Sequence, residues 1–398
     1  MSAYQRLRTA IAQFPRITPR CRYVGTCGGC NLQDLAYEHQ LALKQQVAED
    51  ALRPLGIASV PVVGHDDPWR YRNKLELSFA RGHDTTVLGL HALGSFWKVV
   101  DIDDCWLAPE AFGRAMATIR DVVRRSGLPA YDVKRHEGFW RYLILRHSRH
   151  TQQVLACLIT NEGPRAAVEQ VAEALRRAHP EVATCYWGMT RCVSDVAAPE
   201  QLELLFGPPY LREQLGSLRL DVHPLNFLQP NLAQAERLYA MLTDWVQARG
   251  SRTAWDLYAG LGTIGMSLSR VTESVVCLES DPQNVELLRH NVRMNGLTNM
   301  TVAQGQVETH LRLMPEPAPD CIVVDPPRAG LHKYALRAIA QIKPRLFLYV
   351  SCNLATLIPN LRHLLEAWPT HRIAAVSAFD MFPHTAHLET AALIEPVV

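Results

Sequence analysis

The chain has 398 residues, enough at roughly 100–200 residues per domain for two or three domains, and 48% of them are hydrophobic against 20% charged. That balance excludes a disordered, collagen-like or coiled-coil chain and allows a large buried core. Lys and Arg number 41 and Asp and Glu 39, so the net charge of +2 excludes a uniformly basic nucleic-acid coat and confines any RNA or DNA contact to local patches.

The N-terminus carries Arg6, Arg8, Arg16, Arg20 and Arg22, and residues 1–33 contain no acid. An acid-free basic arm of this kind suits RNA phosphates. It lacks the apolar segment of an export signal, and no run approaches the ~18 apolar residues of a membrane helix, so a cytoplasmic chain with reduced thiols is expected. Ten cysteines in that setting call for a metal or a nucleophile rather than disulfides. Three of them, Cys21, Cys27 and Cys30, form a C-x5-C-x2-C array.

Apolar residues at helical spacing then predict a helix from Asp34 to Arg53, ended by a stretch containing Pro54, Gly56, Pro61, Gly64 and Pro68. Farther on, two strand-like runs flank a polar turn at Ser148–Thr151 and precede a helical segment at Gly163–Arg177, which predicts a mixed α+β domain. From about residue 220, short apolar runs alternate with helical segments, the pattern of a parallel sheet covered by helices. The chain therefore divides at 1–60, 61–219 and 220–398.

Ligands of such sheets bind beyond the carboxyl ends of the strands, so the residues closing each run are the candidate site. The first run ends in DLYAGLGTIG, where Asp256 closes the strand and Gly260, Gly262 and Gly265 permit a tight turn into a helix. Such a loop serves dinucleotide and S-adenosylmethionine (SAM) sites alike. The second run ends in Glu279, spaced to hold the ribose hydroxyls of an adenosine or, alternatively, to cap the helix that starts near Pro282. Asp325 precedes two prolines that fix the backbone at another strand exit. The run RLFLYVSCN ends in Cys352, expected to be exposed at the strand tip with its thiol pKa lowered by the following helix. Cys277 and Cys321, inside strands, are expected to be buried and inert. The last two runs fold back around MFPHTAH, which would start Glu389 on a returning strand close to Cys352. A thiol nucleophile and a carboxylate base then meet at one pocket.

FLQPN at 227–231, the glycine loop, Glu279, DPPRAGL at 325–331, SCN at 351–353 and HLETAALIE at 387–395 together resemble the RNA uracil-C5 methyltransferase family, in the family's order and over nearly the whole chain. The resemblance implies a class I SAM-dependent methyltransferase over 220–398, an α/β domain with a Rossmann-like seven-stranded sheet, after a central α+β RNA-binding domain over 61–219. YRNKLELSF at 71–79 is similar to a central-domain motif of these enzymes. The cysteine array and Cys105 in VDIDDCWL resemble the iron–sulfur motif of the ribosomal RNA branch. Cys21, Cys27, Cys30 and Cys105 are thus expected to hold a [4Fe–4S] cluster in the 1–60 segment, zinc being the alternative.

By the same resemblance Cys352 adds to C6 of uracil, C5 takes the methyl of SAM, and Glu389 removes the C5 proton. Gln229, Tyr258, Thr263, Glu279 and Asp325 would bind SAM or orient it against the base. The substrate implied is 23S ribosomal RNA, with the T-loop uridine of tRNA as the alternative, and a monomer is expected. Leu354 stands where the family has proline, and with so few residues before Cys21 the TRAM barrel of many relatives is not expected. A non-catalytic RNA-binding scaffold is opposed by the Cys352/Glu389 pair, and amino-group methylation by Arg328 after the two prolines.

Overall fold

The computed structural model describes residues 11–95, 97–193, 196–311 and 318–397. Arg6 and Arg8 lie outside them. Helix α1 (Tyr37–Leu52) occupies the predicted helical segment, and the two-residue strand β1 (Val62–Val63) follows it.

The central part contains β2 (Lys74–Arg81), β3 (Thr86–His91), β4 (Val99–Asp101), α2 (Glu110–Ser126), β5 (Trp140–His147), β6 (Val154–Thr160), α3 (Arg165–Ala178), β7 (Val182–Met189) and β8 (Gln201–Phe206). They build a seven-stranded sheet in the order β4-β3-β2-β5-β6-β7-β8. Its pairs are antiparallel except β6–β7, which α3 links as a crossover. Leu75, Leu77 and Phe79 alternate along β2 and pack on one face with Phe112, Met116 and Ile119 of α2 and Val168 and Val171 of α3. The predicted α+β character is present.

A hairpin of β9 (Leu211–Leu215) and β10 (Leu218–Val222) leads to the C-terminal part: α4 (Leu232–Ala248), β11 (Thr253–Leu257), α5 (Thr263–Leu268), β12 (Ser274–Glu279), α6 (Pro282–Met294), β13 (Met300–Gln304), α7 (Val307–His310), β14 (Cys321–Val324), α8 (Lys333–Ile342), β15 (Leu346–Ser351), α9 (Leu354–Ala367), β16 (His371–Phe379) and β17 (Glu389–Pro396). The sheet order is β1-β16-β17-β15-β14-β11-β12-β13, parallel throughout except for β17. Both faces are covered, which is why its strands read as continuous apolar runs. Along β14, Cys321 and Val323 pack towards α4 and α6, while Ile322 and Val324 pack towards α8 and α9.

Eight strands stand where seven are expected. β1 pairs in parallel with β16, Val62 opposite Ala378 and Val63 opposite Phe379, and so covers an open sheet edge. The expectation failed because two residues carry no readable periodicity; the pairing comes from the exposed N–H and C=O groups of β16. Helix α1 also joins this sheet: Ala48 and Leu52 are buried among side chains of α8 and α9.

Candidate active site

Every candidate catalytic and SAM-binding residue stands at one edge of the eight-stranded sheet. Glu279 closes β12, while Tyr258, Asp325 and Cys352 follow the ends of β11, β14 and β15. Glu389 opens β17, and because β17 runs antiparallel its start lies at the carboxyl edge of the others, with Thr390 opposite Ser351. Gln229 enters from the turn before α4, and Thr263 begins α5.

A cleft of about 380 Å³ brings together Gln229, Tyr258, Thr263, Asp325, Cys352 and Glu389. Glu279 borders it from behind the loop: its carboxylate accepts hydrogen bonds from the backbone N–H groups of Gly260 (2.8 Å), Ser280 (2.9 Å) and Asp281 (2.8 Å). The loop itself needs its glycines. Gly260 and Gly262 have φ of 54° and 74°, and a Cβ on Gly262 would lie 2.0 Å from Leu288 Cδ1. Tyr258 also has a positive φ, 65°, and its hydroxyl donates to Glu308 at 3.1 Å, next to the cleft.

The cleft collects side chains that the strand-tip reasoning passed over. Tyr239 of α4 is buried and its hydroxyl accepts from Thr263 Oγ1 at 3.1 Å; nothing but its place on an amphipathic helix marks it in the sequence. Phe227 and Phe382 supply aromatic walls, and both belong to motifs, FLQPN and MFPHTAH, in which the sequence reading assigned neither a role. Arg328 lies 3.2 Å from the His387 ring and faces Cys352.

The electrostatics correct one expectation. Cys352 is half-buried, and burial pushes its thiol pKa up rather than down, with the Glu389 carboxylate acting in the same direction. The start of α9 does not overcome this; among the described residues the opposing influence is the Arg328 guanidinium. Glu389 is buried, and loss of solvent together with the nearby Asp325 raises its pKa well above the carboxylate range. Its Oε1 has no hydrogen-bond partner among the described residues. Asp325 is itself pushed up to about 7 by burial, against one hydrogen bond from Gln229 Nε2 at 3.4 Å. A thiol, an unsatisfied carboxylate and a glycine loop thus share one cleft of small-molecule size.

A family model described as tRNA (Uracil-5-)-methyltransferase matches residues 216–397. The chain is 33% identical to the uncharacterized RNA methyltransferase of Caldanaerobacter subterraneus over 94% of its length and 84% of the relative's. It is 31% identical to the tRNA (uracil(54)-C(5))-methyltransferase of Pyrococcus abyssi over 95% of its own length and 86% of the relative's. The chain belongs to the RNA (uracil-5-)-methyltransferase family. The crystal structure of the Pyrococcus abyssi enzyme in complex with S-adenosyl-L-homocysteine superposes with a TM-score of 0.76 at 29% identity, covering 92% of this chain and 85% of that one. The α/β methyltransferase fold is therefore common to the two.

In this methyltransferase Cys21, Cys27, Cys30 and Cys105 line a single pocket with Arg72 and Gln33. Gln33 Nε2 lies 3.7 Å from Cys30 Sγ, and burial together with the neighbouring sulfurs pushes the Cys30 thiol up to about 12. Among the described residues no group of three or more His, Cys, Asp or Glu side chains forms a set that could hold a metal ion as it stands. Cys277 and Cys321 are fully buried in strands, as expected. Arg16, Arg20 and Arg22 of the basic arm stand exposed on the surface. Arg16 pairs with Asp34, Arg22 with Asp103, and the Arg20 guanidinium sits 3.9 Å over the Trp106 ring. Acids and aromatics elsewhere in the sequence engage these three arginines at the surface. Among the described residues no helix is long and apolar enough to cross a membrane.

Proposed function

We propose that the protein methylates C5 of a uridine in RNA, with Cys352 as nucleophile and Glu389 as base. The observation that carries this reading is the pairing of a thiol and a partnerless carboxylate oxygen in one cleft with the glycine loop. SAM, when bound, supplies an electrophilic methyl group. The left-handed glycines, the acid at the end of β12 and the cleft volume fit such a molecule, with Gln229, Tyr258, Thr263, Glu279 and Asp325 as the residues that would hold it.

The Cys352 thiolate adds to C6 of uracil and drives electrons onto the C4 carbonyl, which makes C5 nucleophilic. Once C5 has taken the methyl, Glu389 accepts the C5 proton, the C5–C6 double bond re-forms and the Cys352 thiolate leaves. The target base has to leave its stack to enter the cleft, so the substrate uridine lies in a loop or is flipped out. We take 23S ribosomal RNA as the substrate, on the four-cysteine array; the similarity to the Pyrococcus abyssi enzyme favours the T-loop uridine of tRNA as a second reading. Residues 61–219 act as the RNA-binding domain in a cytoplasmic monomer.

For the cysteine pocket we infer a [4Fe–4S] cluster, since four thiols on one pocket match its ligand set. Cys21, Cys27 and Cys30 would thereby be tied to Cys105, clamping the N-terminal segment to the central domain. Anaerobically purified protein is expected to be brown and to contain iron, and Cys30→Ser is expected to lose the colour and lower Tm. A colourless, zinc-loaded protein overturns the cluster.

The activity is tested with RNA containing 5-fluorouridine, whose fluorine cannot be removed as a proton. Wild type with SAM is expected to form a denaturant-stable protein–RNA adduct and Cys352→Ala none. Glu389→Gln with ordinary RNA is expected to stall after methyl transfer, leaving the adduct in place. Equal adduct from wild type and Cys352→Ala would falsify the mechanism. Mapping 5-methyluridine in rRNA and tRNA from a deletion strain separates the two substrates.

A further inference from the structure

The face of the central sheet turned away from α2 and α3 is covered at one end and open at the other. Around β5–β7, Tyr142, Ile144, Leu155 and Tyr186 pack beneath Leu211. Around β2–β4 the same face forms a cleft of about 240 Å³. Its walls are the β3–β4 loop, which carries Trp97, and the segment Tyr131–Lys134. Trp97 is 63% exposed, an unusual state for so large an apolar ring.

Cations share the cleft with that ring. Lys134 Nζ lies 5.5 Å from the Trp97 centroid, and Arg81 lines the same cleft. Among the described residues neither Arg81 nor Lys134 is held in an ion pair. Beneath them the buried Arg141 guanidinium stacks 3.9 Å over the Tyr131 ring and donates to Asn161 Oδ1 at 3.1 Å. The one acid in the lining, Asp132, has its Oδ1 engaged by the backbone N–H groups of Lys134 (2.8 Å) and Arg135 (3.2 Å). Ser78 Oγ and His91 Nε2, 3.2 Å apart, add a polar rim.

An accessible aromatic face beside unpaired cations matches an unpaired nucleotide, which needs a platform for its base and positive charge for its phosphate. An acidic peptide would answer the charge but leave the ring bare. We propose that this cleft is an ancillary RNA site, stacking one single-stranded base on Trp97 and holding the adjoining phosphate with Arg81 and Lys134. The proposal rests on the reading of the protein as an RNA methyltransferase and adds to it a second contact that shares no lining residue with the catalytic cleft. The cysteine segment holds the platform in place: Leu93 of the Trp97 loop donates to Thr26 O at 2.9 Å, and Gly28 donates to His91 O at 2.9 Å.

The test uses the full-length protein and a fluorescein-labelled oligoadenylate of about twelve nucleotides, a length within the site sizes of single-strand binders. Containing no uridine, this probe does not draw on the uracil chemistry of the catalytic cleft. Trp97→Ala is expected to weaken binding about 10- to 100-fold and Trp97→Phe to restore most of it. Lys134→Ala is expected to lower the salt slope by about one. SAM binding in Trp97→Ala should equal wild type. Oligoadenylate binding by Trp97→Ala equal to wild type, or none by wild type, overturns the ancillary site even if uridine methylation is intact. Absence of methylation in wild type, with Trp97-dependent binding retained, overturns the activity and not the site.

Discussion

Cys352 and Glu389, the proposed nucleophile and base, are both shaped by burial. Both have raised pKa values, the thiol mainly through burial and the carboxylate through burial and Asp325, and the Arg328 guanidinium pulls both back. A raised thiol pKa leaves little thiolate at neutral pH, and below that pKa the thiolate fraction grows about tenfold per pH unit. The rate of adduct formation with 5-fluorouridine RNA is therefore expected to climb steadily between about pH 6 and 9. A rate already flat at neutral pH would show that the sulfur is ionised there. Arg328→Met removes the cation that favours both anions, so its adduct rate at pH 7 should fall and its profile should move to higher pH.

At the scale of elements, the β11–loop–α5 unit depends on two close fits. A methyl on Gly262 would meet Leu288 of α6 and would also strain a left-handed backbone. Gly262→Ala is expected to reduce SAM affinity at least tenfold in calorimetry, with a stability loss of about 1–3 kcal/mol from overpacking. Wild-type affinity would mean that the loop can re-form around an added methyl.

Asp256, at the end of β11, accepts from Gly265 N–H at 2.7 Å and so ties the loop's last glycine to the strand. Its burial pushes its pKa up to about 7 from 3.8. The folded state thus retains a proton that the unfolded chain releases. The contribution is complete below pH 4 and is lost as pH rises through 7. Asp256→Asn keeps the carbonyl acceptor and has no proton to lose, so denaturation midpoints should depend less on pH between 4 and 7 than in wild type.

Across the whole molecule, the cleft is held by residues far from it in sequence. Asn73 Nδ2 donates to Gln229 O at 2.9 Å, and Asn73 N–H to Pro230 O at 2.9 Å, so the 71–79 motif secures the FLQPN segment. The buried Arg146 of β5 donates to Pro224 O at 2.9 Å. From the other side, Lys44 of α1 forms a fully buried ion pair with Asp380, which also accepts from the Tyr37 hydroxyl at 2.8 Å. That network fixes the turn bearing Phe382. Asn73→Ala is expected to raise KM for SAM several-fold with kcat little changed, as the loss of one buried hydrogen bond costs about 1–2 kcal/mol. Lys44→Met leaves Asp380 buried without its cation and should cost about 3–5 kcal/mol of stability, read as a fall in denaturant midpoint.

The sequence by itself determined the alternation of strands and helices from about residue 220 and the residues at the strand tips, because apolar period and glycine or proline turns are local properties. Cys352 and Glu389 could be brought together on paper since a single reversal of direction at MFPHTAH aligns their strands. Tertiary structure decided the rest. The β1 edge strand and the engagement of Arg16, Arg20 and Arg22 depend on partners scattered along the chain. So does the direction of the Cys352 pKa: the sequence showed a helix start beside the thiol, whereas the desolvation that outweighs it comes from atoms of several elements closing over one sulfur. Local pattern encodes which groups reach the edge; only the assembled surroundings set their charge.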